Sequence, residues 1–326
     1  MVNDKDLLSF DYKKDFPLLA ANDVAYLDNS ATTQKPACVI EAERDFYLKH
    51  NANPLRGLYD LAMQATDIYE DGRVAVQKFI NAKSEQEIIF TRNTTESLNL
   101  VAYSYGLANL KPCDEIVTTI MEHHSNMLPW RMVAQQTGAV VKYIECAVDG
   151  SISDEAIDAA VTEKTKIVAM AEVSNVLGRL NPIAKAISAA HKVGAVAVID
   201  AAQSAPHMAI DVQKMDADFL AFSGHKMLGP MGIGVLYGKK ALLEAMPPFL
   251  SGGEMISFVS RDGQEYAPLP HKFEAGTVNA AGAAGLHAAI EYINSIGFEV
   301  IEAREAALTK LAFDAMQNIP GVHIIG

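Results

Sequence analysis

Three cysteines in 326 residues leave little room for a disulfide framework, and no Cys-x-x-Cys pair is present to hold zinc. No run of eighteen apolar residues occurs, which excludes an apolar membrane-spanning helix. An excess of positive charge is missing too. With 27 Lys and Arg against 40 Asp and Glu the net charge is -13, so a nucleic acid is not the expected partner. Internal repeats and low-complexity stretches are absent, as is an apolar N-terminal signal; Val2 to Asp6 is polar. These absences describe a reduced, cytoplasmic protein. Half of its residues are hydrophobic, enough for a large core.

What is present alternates. Helical spacing over 37–49, 60–79, 97–109, 182–192 and 283–296 is interleaved with short apolar runs such as Lys166 to Met170, while 232–237 suits a returning strand. The pattern predicts an α/β fold with a mostly parallel sheet and helices on both faces. We expect a large domain over 21–295. Residues 1–20 and 296–326 would belong to an incomplete small domain, in which the helix 298–316 leaves an apolar face of Ile301, Ala306, Leu308, Leu311, Ala312 and Met316 uncovered.

Two polar clusters end apolar runs. Asp200-Ala201-Ala202-Gln203 follows Ala195 to Ile199, and Ser223-Gly224-His225-Lys226 follows Asp218 to Phe222. The carboxyl edge of a parallel sheet is where open α/β folds bind ligands. A lysine on a tight connection there can form a Schiff base with a carbonyl cofactor, and an aspartate can keep a pyridine nitrogen protonated. That pairing suits pyridoxal phosphate. Either residue alone would ordinarily be a solvated loop lysine or a helix cap.

A phosphate also needs a seat. The strand-like Glu87 to Phe90, the polar turn Thr91 to Glu96 and the helical run that follows place backbone N–H groups and the Thr94 or Thr95 hydroxyl at a helix start. The plain alternative is an Asn93 N-cap with Glu96 three residues on. After the strand Asp114 to Ile120 comes Glu122-His123-His124-Ser125-Asn126, and a histidine there can lie flat on a cofactor ring and exchange protons. The ligand spacing is wrong for zinc, so no metal is expected.

With these residues stand Tyr26 to Pro36, Asn53-Pro54-Leu55-Arg56-Gly57, Pro129-Trp130, Ser174-Asn175-Val176-Leu177-Gly178 and Phe273-Glu274-Ala275-Gly276-Thr277. In this order the segments resemble those of SUF-type cysteine desulfurases, pyridoxal phosphate enzymes of the class V aminotransferase fold. The resemblance spans nearly the whole chain. It implies the fold type I architecture with a seven-stranded, mostly parallel sheet, and release of alanine from L-cysteine with the sulfur carried as a persulfide. It implies Lys226 as the Schiff-base lysine, Asp200 as the ring-nitrogen partner and His123 as the stacking residue and proton handler. Gln203 would meet the ring's phenolic oxygen, and Thr95, Ser223 and His225 the phosphate. Thr277 would reach the phosphate of a homodimer partner. Asn175 would seat the substrate carboxylate, and Arg56 would line the entrance. A persulfide-accepting protein of iron–sulfur cluster assembly is the expected partner.

The chain also departs from that family. Glu172 stands where His is usual, Arg179 and Met231 where Thr is common, and Ala201 where Gly is usual. The family's nucleophilic cysteine sits on a loop near the carboxyl end, beside an arginine that grips the substrate. Here Cys38, Cys113 and Cys146 all fall elsewhere, so the chain reads as C-terminally truncated and is expected to release little sulfide. Selenocysteine lyase or aminotransferase activity on the same scaffold, or a cofactor-binding dimer without sulfur transfer, are the alternatives.

Overall fold

Side chains that alternate along the central strands enter two different apolar layers. Ala197 and Ile199 join one cluster and Val196 and Val198 the other; Leu220 and Phe222 separate from Phe219 and Ala221 in the same way. A strand buried on both faces needs apolar residues at successive positions, which is why these segments read as continuous runs. The computed structural model describes residues 11–324.

The strands are β1 (Ile88–Thr91), β2 (Glu115–Thr119), β3 (Val140–Ile144), β4 (Thr165–Ala171), β5 (Val196–Asp200), β6 (Phe219–Ser223) and β7 (Gly234–Gly238). They form one sheet in the order β1-β7-β6-β5-β4-β2-β3, with β7 antiparallel to both its neighbours and the remaining pairs parallel. This is the predicted seven-stranded, mostly parallel sheet. The helices include α1 (Ala37–Asp45), α2 (Asp60–Phe79), α3 (Thr94–Leu100), α4 (Leu128–Thr137), α5 (Ile183–Lys192), α6 (Ala280–Ile296) and α7 (Phe298–Met316). Buried residues of α2, α5 and α6 fill one layer, and those of α3 and α4 the other.

α3 begins three residues earlier than its apolar spacing suggested. Asn93 caps it through Oδ1, which accepts the Glu96 N–H at 3.0 Å, and the polar first turn hides the start from a hydrophobic pattern. It continues into a π-helical stretch, Val101–Gly106. Behind the α3 start, β7 passes so closely that a Cβ on Gly234 would lie 2.5 Å from the Asn93 Cα. Only glycine permits that approach.

The layer carrying α2 contains a saturated ion pair. Arg73, fully buried, donates to both Glu274 carboxylate oxygens at 2.7 and 2.9 Å and to the Ile88 carbonyl at 2.8 Å. Tyr69 Oη and the Phe90 N–H also donate to Glu274, at 2.8 and 2.7 Å. Burial by itself would raise the Glu274 pKa, yet Arg73, with His271 and the Phe90 N–H, holds it down to about 2.

Beyond the sheet, no α7 residue is buried, and Leu308 and Leu311 of its apolar face are 44% and 59% exposed. Phe298 and Ile301 rest on the α6 side of the core, and Glu305 meets His207 at 2.6 Å. At the other end of the described chain, Asp15 accepts a hydrogen bond from Tyr292 Oη at 2.9 Å. Residues 1–10 of the expected N-terminal segment lie outside the described residues. A hairpin that the sequence did not suggest joins β8 (Ile256–Val259) to β9 (Gln264–Tyr266).

Candidate active site

The parallel strands stop along one edge of the sheet, and the carboxyl ends of β2, β5 and β6 deliver three of the predicted residues. Asp200 is the last residue of β5, Lys226 lies in the 3-10 turn Gly224–Lys226 after β6, and His123 follows β2. Lys226, His123, Asp200, Gln203, Thr95, Ser223, His225 and Asn175 all line one cavity of about 390 Å³. That is room for a cofactor-sized ligand. Arg56 and Thr277 lie outside it. Arg56 is ion-paired to Glu254 at 2.6 Å, and Thr277 lines a neighbouring pocket with Arg92 and Glu96.

Asp200 is 5% exposed, and its Oδ1 accepts the Ala202 N–H at 2.9 Å. Burial pushes its pKa up, against that hydrogen bond and the charge of Lys226. Burial likewise pulls the Lys226 amine down, with Asp200 opposing. Each group is therefore moved toward its neutral form, and an amine moved that way is a better nucleophile.

The α3 start is wired to the lysine turn. Ser223 Oγ accepts the Thr94 N–H at 2.8 Å and lies 2.6 Å from Thr94 Oγ1. One hydroxyl proton serves that pair, so the other is free for an anion. Thr95 Oγ1 lies 2.7 Å from Ser125 Oγ, which is 3.0 Å from His123 Nδ1. The Ser125 backbone N–H donates to the same Nδ1 at 3.1 Å. An N–H can only donate, so the proton of the neutral ring sits on Nε2. Burial, Lys226 and His124 lower the His123 pKa and favour that neutral ring. His225 is lowered by burial, Lys226 and Lys35.

Gln203 Nε2 donates to the Ser30 carbonyl at 2.9 Å, leaving its second amide hydrogen for a ligand. Asn175 stands on a loop closed by a bridge between Val173 and Leu180.

The departures noted above do not line the cavity. Arg179 pairs with Asp149 at 3.0 Å, Met231 is 69% exposed, and Ala201 is buried. The Glu172 backbone N–H donates to the Asp200 carbonyl at 3.0 Å. Its side chain leaves one buried oxygen without a partner, and burial raises its pKa. Glu172 is thus moved toward the neutral acid.

Sequence reasoning passed over Ser125 and Glu122, although both belong to the motif read for its histidines. Glu122 is buried and accepts from Thr119 Oγ1 at 2.7 Å, Asn126 Nδ2 at 2.6 Å and the Ala171 N–H at 2.9 Å. It ties the His123 turn to the end of β4, and burial pushes its pKa up to about 7. The one signal the sequence offered for Glu122 was its place directly before His123; its burial and its contacts appear only in the fold. None of the three cysteines lines the cavity; Cys38 and Cys113 are exposed and Cys146 is half-buried. Among the described residues no helix is long and apolar enough to cross a membrane.

Comparison with known proteins agrees with this geometry. The class V aminotransferase family matches residues 25–326. A probable cysteine desulfurase of Halalkalibacterium halodurans is 51% identical over 318 residues, covering 96% of this chain and 78% of that protein. The crystal structure of the cysteine desulfurase CsdA from Escherichia coli superposes with a TM-score of 0.89 at 42% identity, over 98% of this chain and 79% of that one. An apo cysteine desulfurase from Thermococcus onnurineus gives 0.91 at 40% identity, over 99% and 84%. The chain belongs to the class V aminotransferase family, whose cysteine desulfurases depend on pyridoxal 5'-phosphate, and within it to the cysteine desulfurases.

Proposed function

We propose that the cavity binds pyridoxal 5'-phosphate through Lys226 and that the protein takes sulfur from L-cysteine, leaving L-alanine. The observation that carries this reading is the pair Asp200 and Lys226, both lining one cavity and both moved toward neutrality by burial. The residues present fit the cofactor. Asp200 faces the cavity with acceptor capacity to spare, Thr95 with the Thr94 and Ser223 pair supplies donors, and Lys226 supplies an amine.

When bound, the cofactor supplies an aldehyde and a ring that accepts electron density from the substrate. Lys226 supplies the amine that holds the aldehyde. Asp200 holds a proton at the ring nitrogen. His123 would stack on the ring, and its Nε2–H would supply a proton to the substrate. Gln203 donates to the phenolic oxygen, and Thr95, Ser223 and His225 hold the phosphate. Asn175 seats the substrate carboxylate, and Arg56, held by Glu254, lies at the entrance. Thr277, outside this cavity, serves the second site of a homodimer.

Passing the sulfur as a persulfide to a small acceptor protein of iron–sulfur assembly would need a thiolate that attacks the substrate sulfur while the Cβ–S bond breaks and Cβ takes a proton to give alanine; Cys38, Cys113 and Cys146 do not line the cavity to supply it. A cytoplasmic setting suits three unpaired cysteines. We divide the chain at 20/21 and 295/296, because all seven sheet strands lie inside the central segment. Loading the protein with pyridoxal phosphate and supplying L-cysteine tests the reading: a visible absorbance band that shifts when L-cysteine is added is expected, with little sulfide released because no cysteine lines the cavity, and a protein that gains no band contradicts it.

A further inference from the structure

The segment Tyr26 to Pro36 carries no role in the account above, yet it closes on the lysine turn. The carbonyl oxygen of His225, part of the peptide that leads into Lys226, is surrounded by donors from this one segment. The Thr33 N–H lies at 3.0 Å, Thr33 Oγ1 at 3.1 Å, Thr32 Oγ1 at 3.2 Å and Lys35 Nζ at 3.0 Å, across 190 or more positions in sequence. Thr33 Oγ1 also accepts the Leu228 N–H at 2.9 Å, so the strap holds the turn on both sides of Lys226. Its other end is tied to the cavity wall where Gln203 donates to Ser30.

The chemistry of Lys35 is unusual for a residue that only supports a fold. Its half-buried ammonium is within bonding distance of oxygens of Thr33 and His225, while Glu43 acts on it only through space. Burying a cation without a close carboxylate costs the fold energy. Burial accordingly pulls its pKa to about 8. Such a charge at the hinge of a reactive lysine points to function.

We propose that Lys35, together with Thr33, is a positioning residue: it clamps the His225–Lys226 peptide and so returns the Lys226 amine to the same place in the cavity whenever it releases and recaptures the cofactor. This rests on the reading that Lys226 holds pyridoxal phosphate. Lys35 itself takes no part in bond making.

The test uses cofactor-loaded wild type, Lys35→Met, Lys35→Arg and Thr33→Val, following exchange of bound cofactor against free pyridoxal phosphate, the pH midpoint of the visible band, and the melting of cofactor-free protein. Lys35→Met is expected to speed exchange about tenfold or more, as loss of one hydrogen bond from a charged donor allows, and to move the midpoint. Lys35→Arg should restore most of both, Thr33→Val should show a smaller effect of the same sign, and cofactor-free melting should hardly change. Lys35→Met and Thr33→Val proteins that exchange and titrate like wild type overturn the clamp while leaving Lys226 as the anchor. So does a set of variants whose exchange tracks only a drop in melting temperature. If wild type takes up no cofactor through Lys226, the reading of the cavity itself falls, and the clamp with it.

Discussion

Two of the places where this molecule buries charge treat it in opposite ways. Around Arg73 and Glu274 every lobe of the carboxylate is used, by a guanidinium, a phenol and a backbone N–H, and the Glu274 pKa is held down to about 2 despite burial. Around Asp200 and Lys226 the donors are sparse, the aspartate accepts one backbone N–H, and burial drives both groups toward neutrality. The first arrangement holds the segment leading to Thr277 against the sheet. The second leaves bonding capacity for something that is not protein. Saturation marks a structural charge, and spare capacity marks a reactive one.

The comparison can be broken most sharply at Lys226. Lys226→Ala should abolish the visible band of cofactor-loaded protein while leaving the fold intact, as read by absorbance and circular dichroism; a retained band would contradict the assignment. Next in size, Asp200→Asn should slow exchange of the L-alanine α-hydrogen for solvent deuterium about a thousandfold, since an ion pair of about 4 kcal/mol at the ring nitrogen is lost. The same substitution should leave the melting temperature of cofactor-free protein unchanged or raised, because it removes an undersatisfied charge. Arg73→Met should do the reverse. It should destabilise the fold by about 3–5 kcal/mol in denaturant titration, because Glu274 is left buried without its partner, yet molecules that remain folded should keep the band position.

The pH arm has a definite sign. Glu274 sits below its ordinary value of 4.5, so the stability it contributes is present above about pH 4.5 and is lost as the pH falls toward about 2. That loss is on the order of 3 kcal/mol in wild type and should be largely absent in Glu274→Gln, as acid titration of the unfolding free energy would show. Smallest of all, joint replacement of Cys38, Cys113 and Cys146 by serine should leave band and deuterium exchange unchanged, because none lines the cavity.

The reactive region was the more legible of the two in sequence, for a physical reason. Strands buried on both faces are unbroken apolar runs, so the polar residue that ends one, Asp200 or Ser223, stands out. The α3 cap at Asn93 was equally visible, whereas the π-helical stretch over Val101–Gly106 was not, since six residues cannot separate its period from that of an α-helix. The β8–β9 hairpin escaped because most of it is exposed and no burial pattern marks it. Contacts made to backbone atoms left no trace. Lys35 meets the His225 carbonyl and Glu122 meets the Ala171 N–H, and every residue type presents those groups. The Arg73–Glu274 pair spans 201 positions and could be found only in three dimensions.

The central claim is that Lys226, among the lysines of the chain, holds the cofactor. Borohydride reduction of the loaded protein followed by peptide mapping reads it directly. We predict a phosphopyridoxyl group on the peptide containing Lys226 and on no other. The same group found on Lys35, the half-buried lysine that packs against the turn, or on a surface lysine with Lys226 unmodified, would contradict the account.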